Sequence, residues 1–191
     1  MNVARILYPV KVLGPGNRIG IWVCGCTRGC PGCSNPELWQ KKEEYEISIS
    51  DMLQLINKIR ETNPVDGFTI SGGEPFLQNK ELSSLIDALL PISSDILIYT
   101  GYTLQELIAK EDPAINNILE KISVLIDGPY IEQRNNDVFL RGSDNQQIHV
   151  LNSEMEKKYR EYLACGKNNI QNFVSRDGII SVGIHRKDFS A

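Results

Sequence analysis

The chain of 191 residues is 41% hydrophobic and 23% charged, an ordinary globular composition that excludes disordered and fibrous classes. Its 20 Lys and Arg stand against 24 Asp and Glu, and the net charge of -4 argues against a nucleic-acid binder held by phosphate neutralisation, though not against a nucleotide substrate. Folding at this length buries roughly 70% of the extended-chain surface, so a single domain over 1–191 is expected.

Arg5 to Val12 is mostly apolar, Gly14-Pro15-Gly16 breaks it, and Ile19 to Val23 resumes as a short strand running into cysteines. After the charged stretch Gln40 to Glu46, Ser48 and Asp51 mark a helix start. Met52, Leu55, Ile56 and Ile59 then share a face until Asn63-Pro64. Phe68 to Ile70 is a strand opening onto Ser71-Gly72-Gly73-Glu74-Pro75. Leu82, Leu85, Ile86 and Leu89 form the next helical stripe, ended by Pro91. Ile96 to Tyr99 is a further strand, and Thr103 with Glu106 makes a capping box for a helix carrying Leu104, Leu107 and Ile108.

Ile122 to Ile126 and Gln147 to Leu151 read as strands. Ser153 with Glu156 is expected to cap a last helix, whose Met155, Tyr159, Tyr162 and Leu163 share one face and which Gly166 closes. Phe173-Val174 and Ile179 to Val182, joined by Arg176-Asp177-Gly178, form a terminal hairpin. The alternation of strands and helices predicts an α/β domain with a parallel sheet that gathers functional loops at one edge. No apolar run approaches a membrane span, and MNVARILYPVKVLGPG lacks an apolar stretch ending in a cleavage site. A cytoplasmic location without a membrane partner is therefore expected.

The cysteines are the specific signal. Cys24, Cys26, Cys30 and Cys33 fall within ten positions, and Cys165 stands apart. An odd count disfavours a disulfide framework and points to a metal centre. Cys26, Cys30 and Cys33 have the spacing C-x3-C-x2-C, compact enough to converge on one inorganic centre. Structural zinc usually takes four ligands, whereas a four-iron cubane on three thiolates leaves one iron open to a small molecule. Two readings stay beside this one: a zinc knuckle, and a four-cysteine site in which Cys24, two residues before Cys26, shares its face. Cys24 is otherwise a buried residue, as is Cys165 near a helix end. Arg18 precedes the strand that feeds the loop and is expected at the surface, with a carboxylate partner as the alternative.

These stretches resemble the radical S-adenosylmethionine (SAM) superfamily, and within it the activating proteins of anaerobic, oxygen-independent ribonucleotide reductase. The resemblance is carried by Gly14-Pro15-Gly16-Asn17-Arg18, by the cysteine loop with Ser34-Asn35-Pro36-Glu37-Leu38-Trp39, and by Ser71-Gly72-Gly73-Glu74-Pro75. It continues through Thr100-Gly101-Tyr102, Leu125 to Tyr130, and Arg141-Gly142-Ser143-Asp144-Asn145-Gln146. Gly32 stands before the third cysteine where many radical SAM proteins have an aromatic residue, and the Pro31-Gly32 pair looks like the reductase-activating branch.

The resemblance implies a partial, open radical SAM barrel with flanking helices, the segment from about 152 to 191 being a less recognisable C-terminal extension. It implies that Cys26, Cys30 and Cys33 hold a [4Fe-4S] cluster whose fourth iron chelates SAM, with Gly72, Gly73 and Glu74 at the methionine end. Tyr99 and Tyr102 are candidates to flank the adenine, and Asp127, Arg141 and Asn145, with Ser143 and Gln146, are further candidate contacts; each also reads as ordinary turn or core chemistry. The activity implied is reductive cleavage of SAM and formation of a glycyl radical on the large subunit of anaerobic ribonucleotide reductase, with an electron donor such as flavodoxin or ferredoxin. The alternatives are radical modification of another peptide or metabolite, an iron-sulfur electron carrier or sensor, and a zinc-stabilised interaction module.

Overall fold

The computed structural model describes residues 1–164, 166–175 and 178–186. A six-stranded sheet runs in sequential order: β1 (Val3–Val10), β2 (Arg18–Val23), β3 (Gly67–Gly72), β4 (Ile96–Tyr99), β5 (Val124–Asp127) and β6 (Gln147–Val150). The expected parallel pairing holds for β2 to β5, while β1 and β6 are antiparallel edges. The connection from Lys11 to Asn17 is too short for the dozen or so residues that a parallel crossover needs. β1 and β6 do not pair with each other, so the sheet stays open.

α1 (Ile49–Arg60), α2 (Asn79–Leu89), α3 (Leu104–Ile108) and α4 (Pro113–Lys121) fill the three central crossovers. Because every crossover advances in the same direction, right-handed connections put all these helices on one face. Ile19, Ile21, Val23, Phe68, Ile70, Ile96, Ile98 and Leu125 project there and meet Met52, Ile56, Leu82, Leu85, Ile86, Leu89, Ile115 and Ile118. Ser48 caps α1 by accepting from the Asp51 N–H, and Thr103 with Glu106 closes the expected capping box of α3. α4 is absent from the periodicity reading above. Asp112 caps it by accepting from the Ala114 and Ile115 N–H groups, with Pro113 at its first turn.

The alternate strand residues, among them Trp22, Leu97, Tyr99, Val124 and Ile126, face the other side. Tyr159 and Tyr162 of α5 (Glu156–Ala164) cover one part of that surface. The hairpin of β7 (Ile170–Ser175) and β8 (Gly178–Gly183) covers another through Phe173, Ile180 and Val182. The final helix starts differently from expectation: Asn152, not Ser153, accepts from the Glu154 N–H, and a 3-10 turn over Ser153–Met155 precedes α5. The short Asn side chain reaches the N–H two residues on before a capping box can form. Arg18 is not at the surface. It is fully buried at the N-terminal end of the strands and paired with Asp95. Cys165 and the turn residues Arg176 and Asp177 lie outside the described residues.

Candidate metal and cofactor centre

The cysteine loop leaves β2 at its C-terminal end, the edge expected for function. Its root is fixed on two sides. Gly25 N–H donates to Leu38 O (2.9 Å) and Cys26 N–H to Trp39 O (2.8 Å), while the exit of β3 lies alongside through Gly73 N–H to Val23 O (2.7 Å) and Glu74 N–H to Gly25 O (2.8 Å). A Cβ on Gly72 would fall 2.4 Å from Val23 O, and one on Gly73 2.5 Å from Gly25 O. These two glycines are required because β3 must run against the backbone that carries the cysteines.

Glu74 is buried, and its carboxylate is engaged on both oxygens. Oε1 accepts from Thr100 Oγ1 (2.8 Å) and Phe76 N (3.1 Å), and Oε2 accepts from Gly101 N (2.7 Å). Burial pushes its carboxyl upward, and these donors oppose the shift. Glu74 therefore braces the ends of β3 and β4 against each other.

Cys26, Cys30 and Cys33 line one cavity together with Gly72, Gly73, Glu74 and Tyr99. Burial raises the Cys26 thiol above its ordinary range. Cys24 does not line this cavity. It is fully buried on the inner face beside Leu38 and Trp22, where desolvation likewise raises its thiol. Tyr99 forms part of the floor, its hydroxyl donating to Leu140 O (3.0 Å) and its ionisation pushed well up by burial.

Asp127, Arg141 and Asn145 do not line the cavity. Asp127 accepts from Leu104 N (2.6 Å) at the start of α3 and from Gln147 N (3.3 Å), with His149 Nε2 3.0 Å away. Arg141 donates to Gln146 O (2.9 Å) within the motif and Asn145 to Pro129 O (2.8 Å), which ties this loop to itself and to the Gly128-Pro129 turn. Its members in the cavity wall are Gly142 and Gln146, and the Gln146 side chain accepts from Gly142 N (2.8 Å) and donates to Gly128 O (2.9 Å). Arg28 and Trp39 also line the cavity; in the sequence Trp39 carries part of the resemblance without a role of its own and Arg28 is not singled out, though a cation inside a cysteine loop is the signal that could have done so. The Arg28 guanidinium lies 4.3 Å from the Tyr102 ring centre, with Lys110 at 3.8 Å from the same ring. Its Nη2 is 3.4 Å from Glu106 Oε2, the carboxylate of the α3 capping box.

The donor set fits an iron-sulfur group. Among the described residues no three His, Cys, Asp or Glu side chains gather about a single-ion position. A cubane takes each thiolate on a different iron, so it calls for thiols distributed around one cavity rather than about one point. The Trp39 indole N–H, in the wall of the same cavity, is shielded from solvent and has no acceptor among the described residues. A donor in that position is suited to an acceptor on a bound group or on ordered water.

A family model described as a 4Fe-4S single cluster domain matches residues 12–149. Curated proteins named anaerobic ribonucleoside-triphosphate reductase-activating protein are similar to the chain. That of Escherichia coli K12 is 32% identical over 152 residues, covering 75% of this chain and 96% of its own. That of Haemophilus influenzae is 36% identical over 150 residues, covering 74% and 94%. That of Enterobacteria phage T4 is 32% identical over 154 residues, covering 78% and 93%. Among the described residues no helix is long and apolar enough to cross a membrane.

Proposed function

The chain belongs to the family of anaerobic ribonucleoside-triphosphate reductase-activating proteins, and from that membership we propose that it generates a glycyl radical on an anaerobic ribonucleotide reductase by reductive cleavage of SAM. Cys26, Cys30 and Cys33 would hold a [4Fe-4S] cluster, and SAM would bind at that cluster beside Gly72, Gly73 and Glu74. When bound, these groups supply single-electron transfer and hydrogen-atom abstraction. In this reading the open sheet is a partial radical SAM barrel, and flavodoxin or ferredoxin is the electron donor.

The chain's own contribution is placement and shielding. The Gly72–Gly73 backbone and the Glu74 brace keep the exit of β3 rigid against the cysteine loop, so a ligand between them meets a fixed wall. Gln146 holds the Gly128 and Gly142 segments as a second wall, and Tyr99 closes the floor. Such pre-set geometry suits a reaction whose demands are orientation and exclusion of water rather than proton transfer.

The observation that carries the proposal is that the three cysteines and Gly72 to Glu74 border one cavity at the carboxyl end of the parallel strands. The test is anaerobic incubation of the cluster-loaded protein with SAM, a reductant and the reductase. A doublet in the electron paramagnetic resonance of the reductase, with methionine and 5'-deoxyadenosine as products, is expected; its absence with an intact cluster overturns the reading.

A further inference from the structure

The β7–β8 hairpin lies beyond residues 12–149 that match the family model, yet Ser181 to Ile184 border the cavity that holds the cysteines. One face of the hairpin is committed to the protein. Phe173, Ile180 and Val182 pack with Val10, Leu13 and Trp22, and the Gln171 amide donates to Pro9 O (2.6 Å) while accepting from Lys11 N (3.0 Å). Its opposite face is open: Val174 and Ile179, direct cross-strand partners, are 85% and 68% exposed.

Among the described residues β8 pairs only with β7, so its outer edge presents backbone donors and acceptors beside the cavity. Natural sheets usually blunt such an edge with charge, proline or a bulge. Residues 179–183, Ile-Ile-Ser-Val-Gly, carry neither charge nor proline, and their register with β7 is unbroken.

We propose that the outer edge of β8 is a docking strand for an extended, glycine-containing segment of a partner polypeptide, which pairs with residues 179–183 and is guided by that pairing toward the cysteine cavity. Val174 and Ile179 supply an apolar flank. This inference rests on the proposed function, which requires a protein backbone to approach the cavity. A segment built around glycine offers few side chains to grip, and main-chain hydrogen bonds are the remaining handle. Those bonds also satisfy the peptide groups that the segment withdraws from water.

The test uses the cluster-loaded protein and the reductase under anaerobic conditions. Amide hydrogen exchange is followed across 179–183, and affinity is compared between the unmodified protein and a Val174→Lys/Ile179→Lys variant. Slowed exchange in the complex and affinity weakened about tenfold or more are expected, with unchanged SAM cleavage in the absence of the reductase. Unchanged exchange at 179–183 in a formed complex overturns the docking strand, as does a variant with full iron content that binds within about twofold of the unmodified protein. The exchange measurement needs no variant and decides the matter if the substitutions disturb folding. Failure of the unmodified protein to bind or activate the reductase overturns the underlying reading instead, and is distinguished by the absence of any complex.

Discussion

The Arg18 guanidinium and the Asp95 carboxylate meet at 3.1 Å at the end of the sheet opposite the cysteine loop, with almost no solvent access to either. Both charges have further partners. Arg18 Nε donates to Thr69 Oγ1 (2.7 Å), and its other nitrogens donate to Pro15 O, Phe68 O and Asp95 O. Asp95 accepts from Tyr159 Oη (2.6 Å) and lies 2.6 Å from Lys158 Nζ. The pair thus ties β2, β3 and the entry to β4 to α5, and closes the inner face from below. Asp95→Ala leaves a buried guanidinium without its counter-charge. Denaturant unfolding is expected to show a loss of about 3–5 kcal/mol.

Single replacement of Cys26, Cys30 or Cys33 by Ala is expected to abolish cluster binding and SAM cleavage. Cys24→Ala removes only a buried sulfur beside Leu38 and should keep both activities at a modest stability cost. Iron and sulfide analysis of anaerobically purified variants checks this directly. A Cys24→Ala protein lacking its cluster would reverse the ligand assignment.

Arg28 connects the cysteine loop to the turn between β4 and α3 through the Tyr102 ring and Glu106. A cation–π contact of this kind contributes about 0.5–2 kcal/mol. Arg28→Gln is expected to hold the loop more loosely and so speed iron loss to a chelator several-fold. Arg28→Lys, which keeps the charge, should fall between. Equal loss rates for all three proteins would remove the latch.

The Trp39 N–H, which has no acceptor among the described residues, would donate to a cluster bound in the cavity. Trp39→Phe keeps the ring but deletes the donor, so fewer hydrogen bonds offset the charge of the reduced cluster. A more negative reduction potential, read by potentiometric titration, is the expected outcome, with the fold unchanged by circular dichroism.

Acid should loosen the contact between Asp137 and the chain that follows β8. The Arg186 guanidinium, then the Asn168 amide, hold the Asp137 carboxyl below its ordinary value of 3.8. A carboxyl depressed in the folded state stabilises above its unfolded value, and the contribution disappears as pH falls through the lower folded value. Unfolding midpoints measured downward from pH 5 should therefore fall less steeply for Asp137→Asn than for the unmodified chain.

Much of the local structure was legible because it depends on neighbours along the chain. Ser48, and Thr103 with Glu106, mark helix starts through contacts three residues apart, and the stripe of Leu82, Leu85, Ile86 and Leu89 follows helical geometry. The three cysteines could be singled out for the same reason, their spacing being itself the chemical signal. α4 was equally local, with Asp112-Pro113 before Ile115 and Ile118, but the stripe is short and lies close behind α3.

What the amino-acid order determined by itself was the set of elements and the residue types able to hold an inorganic centre, since both are written at separations of a few residues. Only the tertiary structure decided that Arg18 is buried against Asp95, that Glu74 spends its carboxylate on Thr100 and Gly101, and that Gln146 rather than Arg141 or Asn145 reaches the cavity. Partners so far apart along the chain are chosen by which strands become neighbours and by which face of the sheet each side chain occupies. Neither is recorded in the spacing of residues along one strand or helix.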